Sequence, residues 1–69
     1  MTTIQEEVGL CAGDVYNFLV KEGQEVPVMK LIKGVGKEDD LVIAAMGWLL
    51  KEDKIDVVKS DKGMIVKLK

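Results

Sequence analysis

The C-terminal half of the chain changes its hydrophobic period once, from the repeat of a helix to the alternation of a hairpin. Between residues 38 and 53 the apolar positions Val42, Ala45, Met46 and Leu49 recur at steps of three and four, which places them on one face of a helix. From residue 55 onward Ile55 and Val57 alternate with Asp56 and Val58. After a turn that ends at Gly63, apolar residues at 64, 66 and 68 alternate with those at 65, 67 and 69, as expected for two paired strands. The pattern predicts an α+β fold in which an amphipathic helix leads directly into a β-hairpin.

The N-terminal half predicts two further helices. Thr3 and Glu6 have the spacing of a capping box, and Gly23 follows the end of the first helix. The predicted core stripe of that helix contains Ile4, Val8, Cys11, Ala12, Val15, Phe18 and Leu19. Val26 predicts a short strand, Pro27 suits the first position of a second helix, and Gly34 and Gly36 indicate the turn that follows it. The predicted order is therefore α-β-α-α-β-β within one domain, residues 1 to 69.

Two glycines lie inside the predicted first helix, where glycine is unfavourable. Gly9 and Gly13 are four residues apart, and each costs about 1 kcal/mol relative to alanine in a helix. Close approach of another backbone would compensate. An internal contact with the second or third helix and a contact with another subunit both satisfy this requirement.

The run Ala45-Met46-Gly47-Trp48-Leu49-Leu50-Lys51-Glu52-Asp53-Lys54-Ile55, together with Gly9, Ala12 and Gly13, resembles a bacterial-type family of small stand-alone winged helix-turn-helix proteins of unknown function. The resemblance covers nearly the whole chain, and the Gly47-Trp48-Leu49 step is its most specific part. Asp53 replaces the glycine that many winged helices have at that turn. The resemblance implies a three-helix core with a C-terminal β-wing, but fold-level analogy alone does not establish a function.

The first functional hypothesis is a regulatory DNA-binding domain with weak, salt-sensitive contact led by the wing. The net charge is −2, and the charges are segregated: residues 1 to 26 sum to −4, 27 to 37 to +3, 38 to 53 to −4 and 54 to 69 to +3. The third helix begins with three acids, where a recognition helix normally contacts bases. All basic residues are lysines, which removes the bidentate arginine–guanine contact. The candidate phosphate contacts are Lys30, Lys33, Lys37, Lys59, Lys62 and Lys67.

The second hypothesis is a protein-interaction module without DNA binding, either a homodimer or a domain that binds another protein through the third or the first helix. Small and apolar residues on an outward helix face favour such an interface. The candidate interface residues are Gly9, Gly13, Ile43, Ala44, Gly47, Trp48 and Leu50. An ordinary monomeric surface is the alternative interpretation, with Trp48 packed under the wing or against the first helix.

An enzyme is not predicted. The chain has no histidine and a single cysteine, Cys11, so it offers neither an imidazole base nor a Cys/His metal site. Gly34-x-Gly36-Lys37 lacks the remaining residues of a phosphate-binding loop. The acids at residues 38 to 40 suit a helix start as well as they suit a cation. We expect no catalytic residue, metal, cofactor or small-molecule substrate.

The expected location is the cytoplasm. The N-terminus lacks the features of a signal peptide, and the longest uncharged stretch is far shorter than the ~20 residues of a membrane-spanning helix. A single cysteine forms no disulfide framework and suits a reducing compartment. Membrane contact is therefore not predicted.

Overall fold

The computed structural model describes residues 3–69, which form three helices and a three-stranded sheet. The elements are α1 (Ile4–Glu22), β1 (Val26–Pro27), α2 (Val28–Val35), α3 (Asp39–Lys51), β2 (Ile55–Ser60) and β3 (Gly63–Leu68). The observed order and the pairing of β2 with β3 confirm the predicted α+β winged helix-turn-helix architecture. None of the helices in this part of the chain combines the length and apolar character needed to cross a membrane.

Helix α1 begins and ends as its sequence predicts. The Thr3 hydroxyl oxygen accepts a hydrogen bond from the Glu6 backbone N–H at 3.2 Å, which satisfies one of the unpaired donors of the first turn. Gly23 closes the helix at φ 69° and donates its N–H to the Leu19 carbonyl. The prediction that Ile4 belongs to the core was wrong, since its side chain is 69% exposed. Ile4 is the first residue of α1 and lies beyond the elements that cover the rest of the stripe.

Two predictions near α2 were also wrong in detail. Pro27 is not the first helical residue but the N-cap, with an extended ψ of 144°, because it also pairs with Ile65 in the sheet. Gly34 belongs to α2 and not to the turn after it. Gly36 alone ends the helix, at φ 74°, a conformation that glycine adopts without steric cost.

The sheet is antiparallel, with strand order β1-β3-β2. Ile55 pairs with Leu68 and Val57 pairs with Val66, so these four side chains share the face that covers the helices. The wing turn consists of Asp61 and Lys62, and Gly63 follows it at φ 119°, a conformation that glycine adopts without steric cost.

The core lies between the three helices and the inner face of the sheet. Its buried apolar residues are Val8, Cys11, Ala12, Val15, Leu19, Val26, Val28, Leu31, Ile32, Val42, Ala45, Met46, Leu49, Ile55 and Val66. All four inward positions predicted for α3 are among them. Burial of these side chains is the main stabilising contribution and fixes which faces of α1 and α3 point outward.

Asp53 connects α3 to the wing in a left-handed conformation, at φ 61°. Its backbone N–H bonds to the Leu50 carbonyl at 3.0 Å, and the Lys54 N–H bonds to the Leu49 carbonyl at 3.0 Å. The Asp53 carboxylate also accepts a hydrogen bond from the Lys69 ammonium. Aspartate tolerates this region better than most residues do, so the replacement of the usual glycine leaves the turn intact.

Candidate interaction surfaces

The outward side of α3 is acidic at its start and apolar or small beyond it. We define the α3 surface as the exposed residues Asp39, Asp40, Ile43, Ala44, Gly47 and Leu50. Ile43 is 55% exposed and Leu50 is 45% exposed. The basic residue of the helix, Lys51, lies in the last turn. A phosphate backbone approaching the start of α3 would therefore meet carboxylates and not cations.

Trp48 joins α3 to α1. A β-carbon built on Gly9 would lie 3.8 Å from the Trp48 Cη2 atom, an ordinary contact distance. The indole ring of Trp48 therefore packs directly against the backbone of α1 at Gly9. Of the two packing sites predicted for Trp48, the structure has the one against α1.

Two open depressions flank the contact between α1 and α3, and carboxylates line both. The first is lined by Ile4, Glu7, Val8, Glu38, Asp40, Leu41 and Ala44. The second is lined by Gln5, Glu6, Gly9, Leu10 and Trp48. Neither lining includes a lysine. This side of the molecule is therefore apolar with acidic edges.

A second unpartnered surface runs along α1. We define the α1 outer face as Glu6, Leu10, Gly13, Asn17 and Val20, all of which are exposed. Leu10 is 74% exposed and Val20 is 53% exposed. A β-carbon built on Gly13 would have no neighbouring atom within 4 Å. The glycine therefore has no packing reason within the described part of the chain.

The candidate lysines of α2 and of the following turn lie beside α1. The Lys30 ammonium is 2.8 Å from a Glu22 carboxylate oxygen, and the Lys37 ammonium is 3.9 Å from one of Asp14. Lys33 lines a depression next to Lys30. Exposed pairs of this kind contribute little to stability, but they place carboxylates next to the cations that DNA would have to contact.

The other candidate lysines are on the wing. Lys59 pairs across the hairpin with Met64, and Lys67 pairs with Asp56. Lys62 occupies the turn, which the Ser60 hydroxyl closes by donating to the Gly63 carbonyl at 2.8 Å and accepting from the Lys62 N–H. Among residues 3–69, these three ammonium groups form no ion pair within 4.0 Å. Three of the six candidate lysines thus lie beside α1 and three on the wing, of which Lys67 also lines a depression with Gly23 and Glu25 at the end of α1.

Phe18 and Gly34 form a contact that sequence reasoning missed. A β-carbon built on Gly34 would lie 2.2 Å from the Phe18 Cε2 atom, so the Phe18 ring occupies the space of the missing side chain. A glycine inside a helix was the available signal, but assigning it to a turn concealed the contact. The exposed Leu10 and Val20 were also missed as interface candidates, although both lie on the side of α1 away from the predicted core stripe.

The buried Cys11 thiol lies in surroundings that lower its reactivity. Burial raises the pKa of the Cys11 thiol, and the nearby Asp14 carboxylate raises it further, whereas Lys37 lowers it. The thiol therefore stays protonated, and a thiol is a poor nucleophile compared with a thiolate. Within residues 3–69, no group of three His, Cys, Asp or Glu side chains is placed to hold a metal ion.

Comparison with known proteins gives a family and a fold. The model of the family described as Winged helix-turn-helix domain (DUF2582) matches residues 1–68. The protein MJ1608 of Methanocaldococcus jannaschii, described as uncharacterized, is 39% identical over 66 residues, and the match covers 91% of each chain. The solution NMR structure of BT2368 from Bacteroides thetaiotaomicron has a TM-score of 0.81 at 23% identity and covers 96% of this chain and 79% of that one. At that identity the likeness concerns the fold alone.

Proposed function

The chain belongs to the winged helix-turn-helix family DUF2582, and from this premise we propose that it is a non-catalytic regulatory domain of the cytoplasm whose α3 surface binds a protein. The carrying observation is the chemistry of that surface. It begins with Asp39 and Asp40 and continues with the exposed Ile43 and Leu50. Exposed apolar side chains around small residues favour a protein contact, whereas DNA requires cations.

The small number of lysines available for phosphate contact favours protein over DNA as the principal ligand. Three wing lysines that each neutralise one phosphate would give a salt slope of only about −3 in a plot of log affinity against log salt, whereas strong binders neutralise about 6–10 phosphates. The acidic start of α3 would add repulsion at the position where a recognition helix contacts bases. Winged helices share a scaffold, but their sites differ.

A second candidate function, weak wing-led contact with nucleic acid, has an observation of its own. Lys59, Lys62 and Lys67 lie on the hairpin without an ion pair in the described part of the chain, and residues 54 to 69 carry a net charge of +3. This segment could contact phosphates without reading bases. Such binding would be weak and independent of DNA sequence.

A duplex titration followed by the amide signals of the protein separates these two functions. With a random-sequence duplex at low salt, we expect shifts in residues 59 to 67 and none in residues 39 to 47. The shifts should disappear at about 0.2 M salt, since so few phosphates are contacted. Lys62→Glu should remove them, and the matched variant Lys33→Glu should leave them. Strong, salt-resistant shifts at the start of α3 would refute the proposal.

Photo-crosslinking in the native cell tests the protein contact itself. A crosslinking amino acid at position 43 should form a nuclease-resistant protein adduct that Gly47→Glu removes. The control position is Val58, which is similarly exposed at 48% but lies on the wing. An equal adduct at position 58, or an adduct that nuclease destroys, would contradict a protein site on α3.

A further inference from the structure

The α1 outer face has the geometry of a helix that pairs with another helix. Its members Glu6, Leu10, Gly13, Asn17 and Val20 follow one another at steps of four, three, four and three, so they form one stripe along the helix. The stripe lies on the side of α1 away from the core residues Val8, Cys11, Val15 and Leu19. No element within residues 3–69 covers it.

Gly13 provides independent support for close approach of a partner. Glycine weakens the interior of a helix, and for Gly34 the Phe18 ring explains its presence. For Gly13 there is no atom within 4 Å of the position of a β-carbon. A small residue at this point lets a second helix backbone come close.

We propose that a second copy of this chain docks on the α1 outer face, with the two α1 helices antiparallel across a two-fold axis. Four residues of the stripe, Leu10, Gly13, Asn17 and Val20, are spaced three, four and three apart and are therefore symmetric about position 15. A two-fold axis at that position places Leu10 against Val20 of the partner subunit and Gly13 against Asn17 of the partner subunit. A two-fold interface requires this kind of self-complementary pattern, because each pairing occurs twice.

The charges along α1 fit this arrangement. The first turn of α1 carries Glu6 and Glu7, and its last turn carries Lys21. In the antiparallel pair, Glu6 lies opposite position 24, which is three residues, or ~4.5 Å along the helix axis, from Lys21 of the partner subunit. The two long side chains can span this offset, so opposite charges approach each other at both ends of the interface. Opposite charges at the two ends of α1 therefore support an antiparallel pair of these helices.

The interface is small. One helix pair buries less than the ~800 Å² per partner of a standard interface, so we expect a dissociation constant of about 10–100 µM, weaker than typical dimers of standard size. Trp48, the single tryptophan, lines a depression with Glu6 and Leu10. Its fluorescence should therefore change with protein concentration as the dimer forms.

Sedimentation equilibrium between about 5 µM and 1 mM, a range that brackets this constant, tests the proposal on the full chain. The wild type should move from monomer to dimer, and Gly13→Glu should weaken the dimer at least tenfold. The matched control is Gly47→Glu, since a β-carbon at Gly47 would also have no neighbour within 4 Å. It should leave the dimer unchanged. A wild type that stays monomeric throughout, or a dimer broken by Gly47→Glu and not by Gly13→Glu, would overturn the proposal.

A charge exchange tests the register. Glu6→Lys and Lys21→Glu should each weaken self-association several-fold, because each places like charges together at both ends. Mixing the two variants should restore opposite charges and give a mixed dimer at least as tight as the wild type. Lys33→Glu, which changes the net charge equally on α2, should not replace Lys21→Glu in the mixture. If it does, the antiparallel register is wrong.

Failure here differs from failure of the proposed function. A monomer that still forms the nuclease-resistant adduct at position 43 would overturn the dimer and leave the protein site on α3 standing. If the chain forms a dimer that Gly13→Glu breaks but forms no adduct at position 43, the dimer on α1 stands and the protein site on α3 is refuted.

Discussion

Gly34 and Gly13 are both glycines inside helices, but the structure explains only one of them. At Gly34 the Phe18 ring fills the space where a β-carbon would lie, at 2.2 Å from it. At Gly13, and likewise at Gly47, that space is open. The first glycine is required by packing within the molecule. Gly13 and Gly47 lower the helix propensity without making room for a neighbouring group in the described residues. We infer that they make room for another molecule.

The outward faces of α1 and α3 share the feature that is absent at Gly34. Both expose large apolar side chains next to an open glycine: Leu10 and Val20 near Gly13, and Ile43 and Leu50 near Gly47. The contact between α1 and α2 has no such opening at Gly34. A small domain has few residues to spare for stability, and we therefore propose that the two open glycines on apolar faces belong to binding surfaces.

Gly34→Ala should have the largest effect on stability in this set. The new methyl group must displace the Phe18 ring, and overpacking of this kind costs about 1–3 kcal/mol, of which improved helix propensity returns up to about 1 kcal/mol. We expect a net loss of about 1–2 kcal/mol in the free energy of unfolding, measured by urea titration.

A double-mutant cycle provides the control. In a Phe18→Leu background the same substitution should cost much less, since the ring that it displaces is absent. An equal cost in both backgrounds would show that Phe18 is not the reason for Gly34.

Asp53 presents the reverse case, a side chain where glycine would be easier. At φ 61°, glycine avoids a steric cost of about 1–2 kcal/mol that alanine pays. Asp53→Gly should therefore be more stable than Asp53→Ala by about 1 kcal/mol. Both variants lose the carboxylate that pairs with Lys69, so the ion pair cancels from the comparison. Equal stabilities in thermal unfolding would place the chain in a different backbone conformation at this turn.

Gly13→Ala and Gly47→Ala should each stabilise the isolated monomer by up to about 1 kcal/mol, through helix propensity alone. The measurement is urea unfolding at low micromolar protein, where self-association is negligible. If either alanine variant is less stable than the wild type, a neighbouring group must occupy the position of the new methyl group. The contrast between these two open glycines and the filled site at Gly34 would then be wrong.

The smallest expected effect concerns pH. The raised pKa of the buried Cys11 thiol means that the folded state keeps its proton at pH values where the unfolded state releases it. The unfolded state then binds fewer protons, so stability falls as pH rises. The contribution of the protonated Cys11 thiol to the free energy of unfolding is complete below the ordinary thiol pKa. It is lost as the pH rises through the higher pKa that the thiol has in the folded state. A smaller decline of the melting temperature at alkaline pH in Cys11→Ala would agree with this, whereas an identical decline would not.

Much of the fold was predictable because local and long-range signals agree. The buried positions Val42, Ala45, Met46 and Leu49 were all identified from their period, and the wing followed from alternation around Gly63. Ile4 was misplaced because period alone does not show where a core ends. Gly34 was misplaced because a glycine in a helix and a glycine in a turn have the same sequence signal until the position of Phe18 is known.

The candidate surfaces were predictable only in part. Composition identified the lysines, but not that Lys30 and Lys37 lie beside carboxylates of α1, because those pairs join residues distant in the chain. The outward residues of α3 followed from the helical wheel. The α1 outer face required the structure, since only the absence of a covering element distinguishes it from an internal contact.

We propose that the outward faces of α1 and α3 serve protein contacts and not base recognition. Light scattering tests this proposal by measuring the mass of the protein in solution at about 0.5 mM, well above the expected dissociation constant. The mass is measured with and without an excess of random-sequence duplex at low salt. We expect a dimer mass that the duplex leaves essentially unchanged once physiological salt is restored. A monomer whose mass rises with duplex and stays raised at physiological salt would contradict it.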